Sequence, residues 1–394
     1  MKKITQYLTT TMMLCCGAAI AAPMDHMTTQ SVTEELKQYL SNANDGWFVY
    51  SIKAAPQTHS MCCYKNGEHA ACDLNSKQYG YGSSSDSPYT ESIHIFTQVK
   101  KGSIKRIMPV GDSCEVKGKG QTVDWLQNVT AQQSISWLKD QAIEQDDHNG
   151  SLYVLSLHPE KQAGEAIYSL AKDNHNDYSE QAVFWLGQRK DDGFAYLKKL
   201  YKELPKGDVR HHLNFALSQH ESAEAVNLLK KIATNDEDSE QQADAIFWLS
   251  QTNGIDNLPQ FLMNLMNESQ SREVKEKAIF SLSQIKSTEA SQHLAQLVKT
   301  HKDREVREQS LFWLSQNDPQ QAQKTAIELL KSTTNDSEQE NAVFVLSQLP
   351  NQQSADALFA ILKGNYHKNI KKKAIFWLSQ SDDKTTLDRL EKLL

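Results

Sequence analysis

No stretch of this 394-residue chain beyond residue 22 approaches the ~18 consecutive apolar residues that a membrane-spanning helix requires. Positive charge is not gathered anywhere either. The 42 lysines and arginines are interspersed with 49 acidic residues for a net charge of -7, which excludes the basic face that a phosphate backbone demands. No C-x-x-C, G-x-S-x-G, phosphate-loop or H-E-x-x-H string occurs, so familiar motifs for redox, acyl-transfer, nucleotide and zinc-protease chemistry are missing. Glycine (16) and proline (9) are few and scarcely interrupt the helical patterns of the second half. No cysteine follows Cys114.

What is present starts with an export signal. Lys2 and Lys3 precede an apolar run from Leu8 to Ile20, and Ala19 and Ala21 form an A-x-A pattern, so residues 1–22 read as a signal peptide cut near Ala21 or Ala22. Lipid anchoring at Cys15 or Cys16 is disfavoured, because Leu14 and Cys15 stand where that processing requires a small residue. Cleavage would lower Lys+Arg from 42 to 40 against 49 acids, a net charge near -9, and leave a periplasmic or secreted protein with no membrane span. Six cysteines become four: Cys62, Cys63, Cys72 and Cys114. An even number close together in an exported chain reads as two disulfides. The neighbours Cys62 and Cys63 would be strained as a pair, so each is expected to bond Cys72 or Cys114, in either assignment.

Self-similarity settles the architecture of residues 149–394. QAVFWLGQ, HLNFALSQ, DAIFWLSQ, KAIFSLSQ, QSLFWLSQ, NAVFVLSQ and KAIFWLSQ end at Gln188, Gln219, Gln251, Gln284, Gln316, Gln348 and Gln380, 31 to 33 residues apart. A weaker copy, SLYVLSL, ends at Leu157 and reads as an atypical first repeat. Each unit pairs a first helical pattern, such as Leu262/Leu265/Met266 or Leu294/Leu297/Val298, with the FxLSQ helix across a polar joint. Ser239-x-x-Gln242 and Ser337-x-x-Glu340 read as capping boxes, and the acidic runs 235–240 and 335–340 as solvated joints. Thr386 to Leu394 reads as one further first-type helix. The expected fold is mainly α: an α-α superhelix of about eight hairpins that bury their apolar faces only by stacking.

The repeat resembles the short HEAT repeats of the phycobilisome-lyase type. That pattern places an Asp before the second helix and a basic residue four positions into it. Asp303 and Arg307 match it, Arg210, Lys275 and Lys371 match only the basic position, and Ser179, Gln242 and Gln339 depart from it. Together with the export signal and the Cys-Cys segment, the chain resembles exported bacterial HEAT-repeat proteins of unassigned function. The resemblance implies a fold and little about function.

A helical wheel sorts the second helix into stripes. Ala182, Ala245, Ala278, Ala342 and Ala374 share a face with the leucines from Leu186 to Leu378 and should meet the unit's own first helix. The position three before the Gln alternates in size, Trp185, Ala216, Trp248, Ser281, Trp313, Val345, Trp377, as if each indole filled space beside a small neighbour, with a period of two units. The remaining stripe holds Phe184, Phe215, Phe247, Phe280, Phe312, Phe344 and Phe376, each four residues before its Gln. Rings and amides in a row could grip a partner's backbone; alternatively Phe fills the gap between second helices and Gln bonds the following turn.

Residues 23–148 do not follow the repeat and read as a small cysteine-containing α+β domain. A helix is expected over 32–40, strands over 47–52, 92–99 and 103–110 with a Lys-Gly hairpin turn between the last two, a loop over 79–88, and an amphipathic helix over 131–145. Cys62, Cys63, His69 and Cys72 could compose a soft-metal site, but not at zinc-motif spacing, and no metal or cofactor is assigned. His211, His212 and His220 read as surface or capping residues. These features point to a non-catalytic protein-interaction scaffold of the cell envelope, gripping a protein or peptide, with no nucleic acid involved. The alternatives are a redox or metal sensor acting through the cysteines and, by resemblance alone, a bilin-lyase-like enzyme.

Overall fold

The computed structural model describes residues 24–393 apart from 26–27, 57, 66–67, 77–79, 83–86, 146, 149 and 221. The expected signal peptide over residues 1–22, with Cys15 and Cys16, lies outside the described residues. The chain divides into two compact units, Met1–Leu170 and Ala171–Leu394.

The first unit runs β1 (Met24–Asp25), β2 (Thr28–Val32), α1 (Leu36–Asn42), β3 (Gly46–Lys53), β4 (Cys62–Lys65), β5 (Glu68–Ala70), β6 (Cys72–Asp73), β7 (Gly80–Gly82), β8 (Ser92–Lys100), β9 (Ser103–Gly111), β10 (Val116–Lys117), β11 (Thr122–Leu126), α2 (Ala131–Glu144), α3 (Ser151–Leu157) and α4 (Lys161–Lys172), whose last two residues belong to the second unit. Its main sheet has the order β2-β11-β3-β8-β9, parallel across β2, β11 and β3 and antiparallel from β3 to β9. Both faces are covered, which is why WFVY is an unbroken apolar run rather than an alternating one. Trp47 and Val49 lie in a cluster with the four cysteines, Phe96, Met108 and Val110. Phe48 and Tyr50 point the other way, their rings 6.0 and 6.2 Å from that of Trp137 on α2. Lys101 and Gly102, at φ +54° and +68°, make the two-residue turn between β8 and β9.

The disulfides are Cys62–Cys114 and Cys63–Cys72, with Cα separations of 5.4 and 5.1 Å. Successive side chains on a strand project to opposite faces, so the adjacent cysteines of β4 reach different partners. Part of the expected loop is a strand: Gly80–Gly82 pairs antiparallel with β4, as β7, because Gly82 lies opposite Cys62 and completes a small sheet around the bridges. The expected helix over 32–40 begins only at Leu36, since Thr28–Val32 is taken by β11 as a parallel partner.

The second unit continues as α5 (Asn176–Gln188), α6 (Gly193–Glu203), α7 (Asp208–Gln219), α8 (Ala223–Asn235), α9 (Ser239–Gln251), α10 (Leu258–Glu268), α11 (Arg272–Gln284), α12 (Thr288–Thr300), α13 (Arg304–Asn317), α14 (Pro319–Ser332), α15 (Asp336–Ser347), α16 (Asn351–Lys363), α17 (Lys368–Ser379) and α18 (Lys384–Glu391). The odd-numbered helices carry the FxLSQ-type segments and form one row; the even-numbered ones are the first helices of each repeat. Within this unit α6 to α17 make six of the expected hairpins, and α18 is the further first-type helix. Ala182, Ala245, Ala278, Ala342 and Ala374 have no exposed surface, and Leu186, Leu217, Leu249, Leu282, Leu314, Leu346 and Leu378 are buried with them. Each such leucine contributes about 2 kcal/mol by leaving water.

The caps differ from expectation. Asp238 and Asn335, not Ser239 and Ser337, receive the first-turn amides of α9 and α15. The serines lie inside the first turn and bond acids of neighbouring repeats instead: Ser239 donates to Glu273 and Ser337 to Glu308. Nor are the acidic joints wholly solvated. Asp236 is buried against Arg210 at 2.7 Å and Tyr201 at 2.8 Å, and Glu338 is buried against Arg307.

The alternating position has a different physical basis from the expected space-filling. Ala216, Ser281 and Val345 are fully buried, whereas the four tryptophans are only half-buried. A small residue lets its helix close on the preceding one: Ser281 donates to the Ile246 carbonyl at 3.4 Å, and a Cβ on Gly187 would lie 2.7 Å from the Ala216 carbonyl oxygen. The indole instead leans on the preceding repeat's phenylalanine.

Ser281→Trp forces an indole into the closed joint between α9 and α11 and should destabilise the protein by about 1–3 kcal/mol; an unaltered thermal transition would refute this packing. Loop-closure entropy for separations of 52 and 9 residues predicts that serine replacement of Cys62 and Cys114 costs about 4 kcal/mol, against about 3 for Cys63 and Cys72. Urea unfolding reads both, and an inverted order would show that chain entropy does not set the difference.

Candidate interaction surface

Three tracks run across the odd-numbered helices of the second unit. The central one is aromatic. Phe184, Phe215, Phe247, Phe280, Phe312 and Phe344 are half-buried and Phe376 is 52% exposed. Neighbouring ring centroids are 4.9 Å apart from Trp185 to Phe184, 5.8 Å to Phe215, 4.6 Å to Trp248, 5.1 Å to Phe247, 6.4 Å to Phe280, 5.0 Å to Trp313 and 5.1 Å to Phe312. Where the intervening position is small, the two phenylalanines stack within 18° of parallel; where it is Trp, the indole bridges them. The run resumes as Phe344, Trp377 and Phe376. The break falls at Val345, bulkier than Ala216 or Ser281 at the same position. Burial against neighbours and partial exposure therefore coexist: each ring helps to hold the stack and keeps some of its surface in solvent.

The second track lies at the helix C-terminal ends. All seven glutamines, Gln188, Gln219, Gln251, Gln284, Gln316, Gln348 and Gln380, are exposed. They do not reach forward to the following turn. In six repeats the glutamine Nε2 donates backward to the preceding serine, at 3.0 to 3.4 Å. That serine hydroxyl donates in turn to the carbonyl of the phenylalanine, at 2.6 to 2.7 Å. The relay explains why Ser, Gln and Phe recur together: it links the exposed amide through the serine hydroxyl to the phenylalanine's carbonyl. Gln188 lacks it because Gly187 replaces the serine where α7 approaches too closely for a Cβ.

The third track is polar and lies toward the helix N-terminal ends. His212 approaches Glu180 at 3.5 Å, His211 approaches Asp244 at 3.1 Å, Arg272 meets Glu305, and Lys373 meets Glu340 at 3.0 Å. The histidines thus join neighbouring repeats, while His220 is the buried C-cap residue of α7. Beneath them runs a deeper set in which Arg210, Lys275 and Arg307 bond Asp236, Asp303 and Glu338 of the following repeat. Sequence spacing showed the basic members of this set; their partners one repeat onward could be identified only from the stacking.

The first unit holds one arrangement that a catalytic reading must address. Tyr50 Oη lies 2.8 Å from Ser134 Oγ, Ser134 Oγ lies 2.9 Å from His158 Nε2, and His158 Nδ1 lies 3.1 Å from Glu160. Serine, histidine and carboxylate follow the order of a hydrolytic triad. Ser134 has no exposed surface and His158 is 1% exposed, so no substrate carbonyl can reach the hydroxyl, and the chain fastens β3 to α2 and to the joint between α3 and α4. Burial also raises the Tyr50 phenol far above its ordinary value. Cys62, Cys63 and Cys72, the thiols of the soft-metal alternative, are all consumed in disulfides.

Residues 233–315 match the family model of HEAT repeats. No curated protein matches the chain. Among solved structures, YibA of Escherichia coli is 18% identical, covering 63% of this chain and 96% of that one at a TM-score of 0.35. The complex of CpcE and CpcF of phycocyanin lyase from Nostoc sp. PCC7120 is 16% identical over 58% of this chain and 92% of that one, with a TM-score of 0.28. Lipovitellin is 12% identical over 77% and 40%, with a TM-score of 0.46.

The Thr333 hydroxyl and then the Arg307 guanidinium hold the Glu338 carboxyl below its ordinary value. A depressed folded-state value stabilises the fold above the unfolded carboxylate range near about 4.3 and is lost as pH falls through the folded value. Glu338→Gln should therefore unfold at lower temperature than the wild type at pH 7, with the gap closing on acidification below pH ~4; a gap independent of pH would refute the ionic account.

Proposed function

We propose that the protein is a non-catalytic interaction scaffold acting in the cell envelope or outside the cell, and that its second unit holds an extended polypeptide segment along the aromatic track. The observation that carries this reading is the run of partly exposed rings, unbroken from α5 to α13, with an exposed glutamine on each helix. Aromatic side chains supply large contact area at small entropic cost, and a primary amide can bond the backbone of any sequence. Phenylalanines stacked 5.8 and 6.4 Å apart lie near the spacing of every second residue of an extended chain. Two buried disulfides in the first unit fit an oxidising compartment, where such bridges persist.

The test separates binding from folding. In the full-length protein, Gln251→Ala and Gln284→Ala remove exposed amides whose only recorded bonds are to their own serines, so the thermal transition should move by no more than about 0.5 kcal/mol equivalent. Capture of the same envelope polypeptides should fall at least about tenfold relative to the wild type. Undiminished capture, repeated with Phe215→Ser and Phe280→Ser, would remove the track from the account.

A further inference from the structure

The aromatic track is not electrically uniform. On α5, α7 and α9 the side chains around the rings are acidic: Asp177 and Glu180, Asp208, then Glu240 and Asp244. Asp177, Asp208 and Glu240 stand seven residues before Phe184, Phe215 and Phe247, which places each within about 20° of its ring on the same helix face. Glu180 and Asp244 follow at four and three residues before the ring. Helix polarity favours acids in a first turn, as at Asp177, Asp208 and Glu240, whereas Glu180 and Asp244 in the second turn approach His212 and His211 of α7 at 3.5 and 3.1 Å. Among lysines and arginines these three helices contain only Arg210, whose guanidinium is bonded to Asp236 and lies over the Tyr201 ring, beneath the surface.

The rings themselves accept cations. Lys277, from the next helix in the row, places its ammonium 5.5 Å from the centroid of Phe247. At the far end of the same track the balance reverses, for α17 carries Lys368, Lys371, Lys372 and Lys373 and no carboxylate. A basic segment is thus attracted at α5–α9 and repelled at α17.

We propose that α5, α7 and α9 take a basic extended segment of a partner polypeptide, its lysine or arginine side chains lying over Phe184, Phe215 and Phe247 with their charged ends against Asp177, Asp208 and Glu240. This deepens the reading of the track as a polypeptide-binding surface and rests on it. Three helices span about 20 Å, the length of about six extended residues. Long aliphatic stems suit the rings and the charged heads suit the carboxylates, so lysine and arginine satisfy both at once.

The probes are labelled peptides about twelve residues long in which leucine alternates with lysine, glutamine or glutamate, titrated by fluorescence anisotropy against the full chain. The lysine peptide should bind at least about tenfold more tightly than the glutamine peptide and weaken as salt rises, and the glutamate peptide should be weakest. Together, Asp177→Asn, Asp208→Asn and Glu240→Gln should abolish the advantage of the lysine peptide. Glu224→Gln with Glu268→Gln, on the even-numbered helices, should leave it intact. Equal binding of all three peptides would overturn the assignment of charge while leaving the track a polypeptide site. Binding of none would overturn the track itself. Equal loss in both variant sets would reduce the effect to general attraction by an acidic protein and so overturn the proposal.

Discussion

The close approach of consecutive FxLSQ helices is the constraint on which the second unit depends. No single hairpin can bury its own apolar surface, so each uses alanine and leucine against its first helix and leaves its flanks to be closed by neighbours. Where Ala216 or Ser281 stands on the flank, the helices close until a serine hydroxyl meets a carbonyl of the helix before it and a glycine is required at position 187. Where Trp248, Trp313 or Trp377 stands there, the ring turns onto the preceding phenylalanine, at 4.6 to 5.4 Å. The joint therefore decides the surface. Rings that could not all be buried in the joints form a nearly continuous, half-covered track.

The first unit solves a different problem. Its main sheet is covered on both sides, by α1 and α2 on one face and by a lobe of very short strands on the other. Strands of two to four residues gain little from their own ladders, so the lobe is tied by the bridges from β4 to Cys72 and Cys114. The buried chain of Tyr50, Ser134 and His158 adds directional bonds where apolar packing alone would leave α2 free to shift on β3. Covalent and polar fastening in this unit contrasts with repetition in the other.

Polar residues show where local reading stops. Ser239 and Ser337 carry a capping pattern, yet the oxygen one or two residues earlier is better placed, and the serines are free to bond neighbouring repeats. Asp236 and Glu338 lie in stretches that look fully solvated, but a basic side chain from the preceding repeat buries them. In the second case the deciding partner lies about thirty residues away, beyond the reach of any helical period. Gly80–Gly82 has a loop's composition and becomes a strand because β4 offers an unpaired edge.

The amino-acid sequence by itself determined the repeat, its length, the assignment of alanine and leucine to the buried face and the candidate surface of Phe184, Gln188 and their counterparts, because period and side-chain size are local properties of a helix. It also limited the cysteine pairings to two assignments, since adjacent cysteines cannot readily bond each other. Only the tertiary structure decided that Cys62 pairs with Cys114, that the indoles lie on phenylalanines rather than beside small residues, and that the glutamines turn back to serine. Those outcomes depend on distances between backbones that are remote in the chain, and such distances follow from the packing of whole repeats and strands.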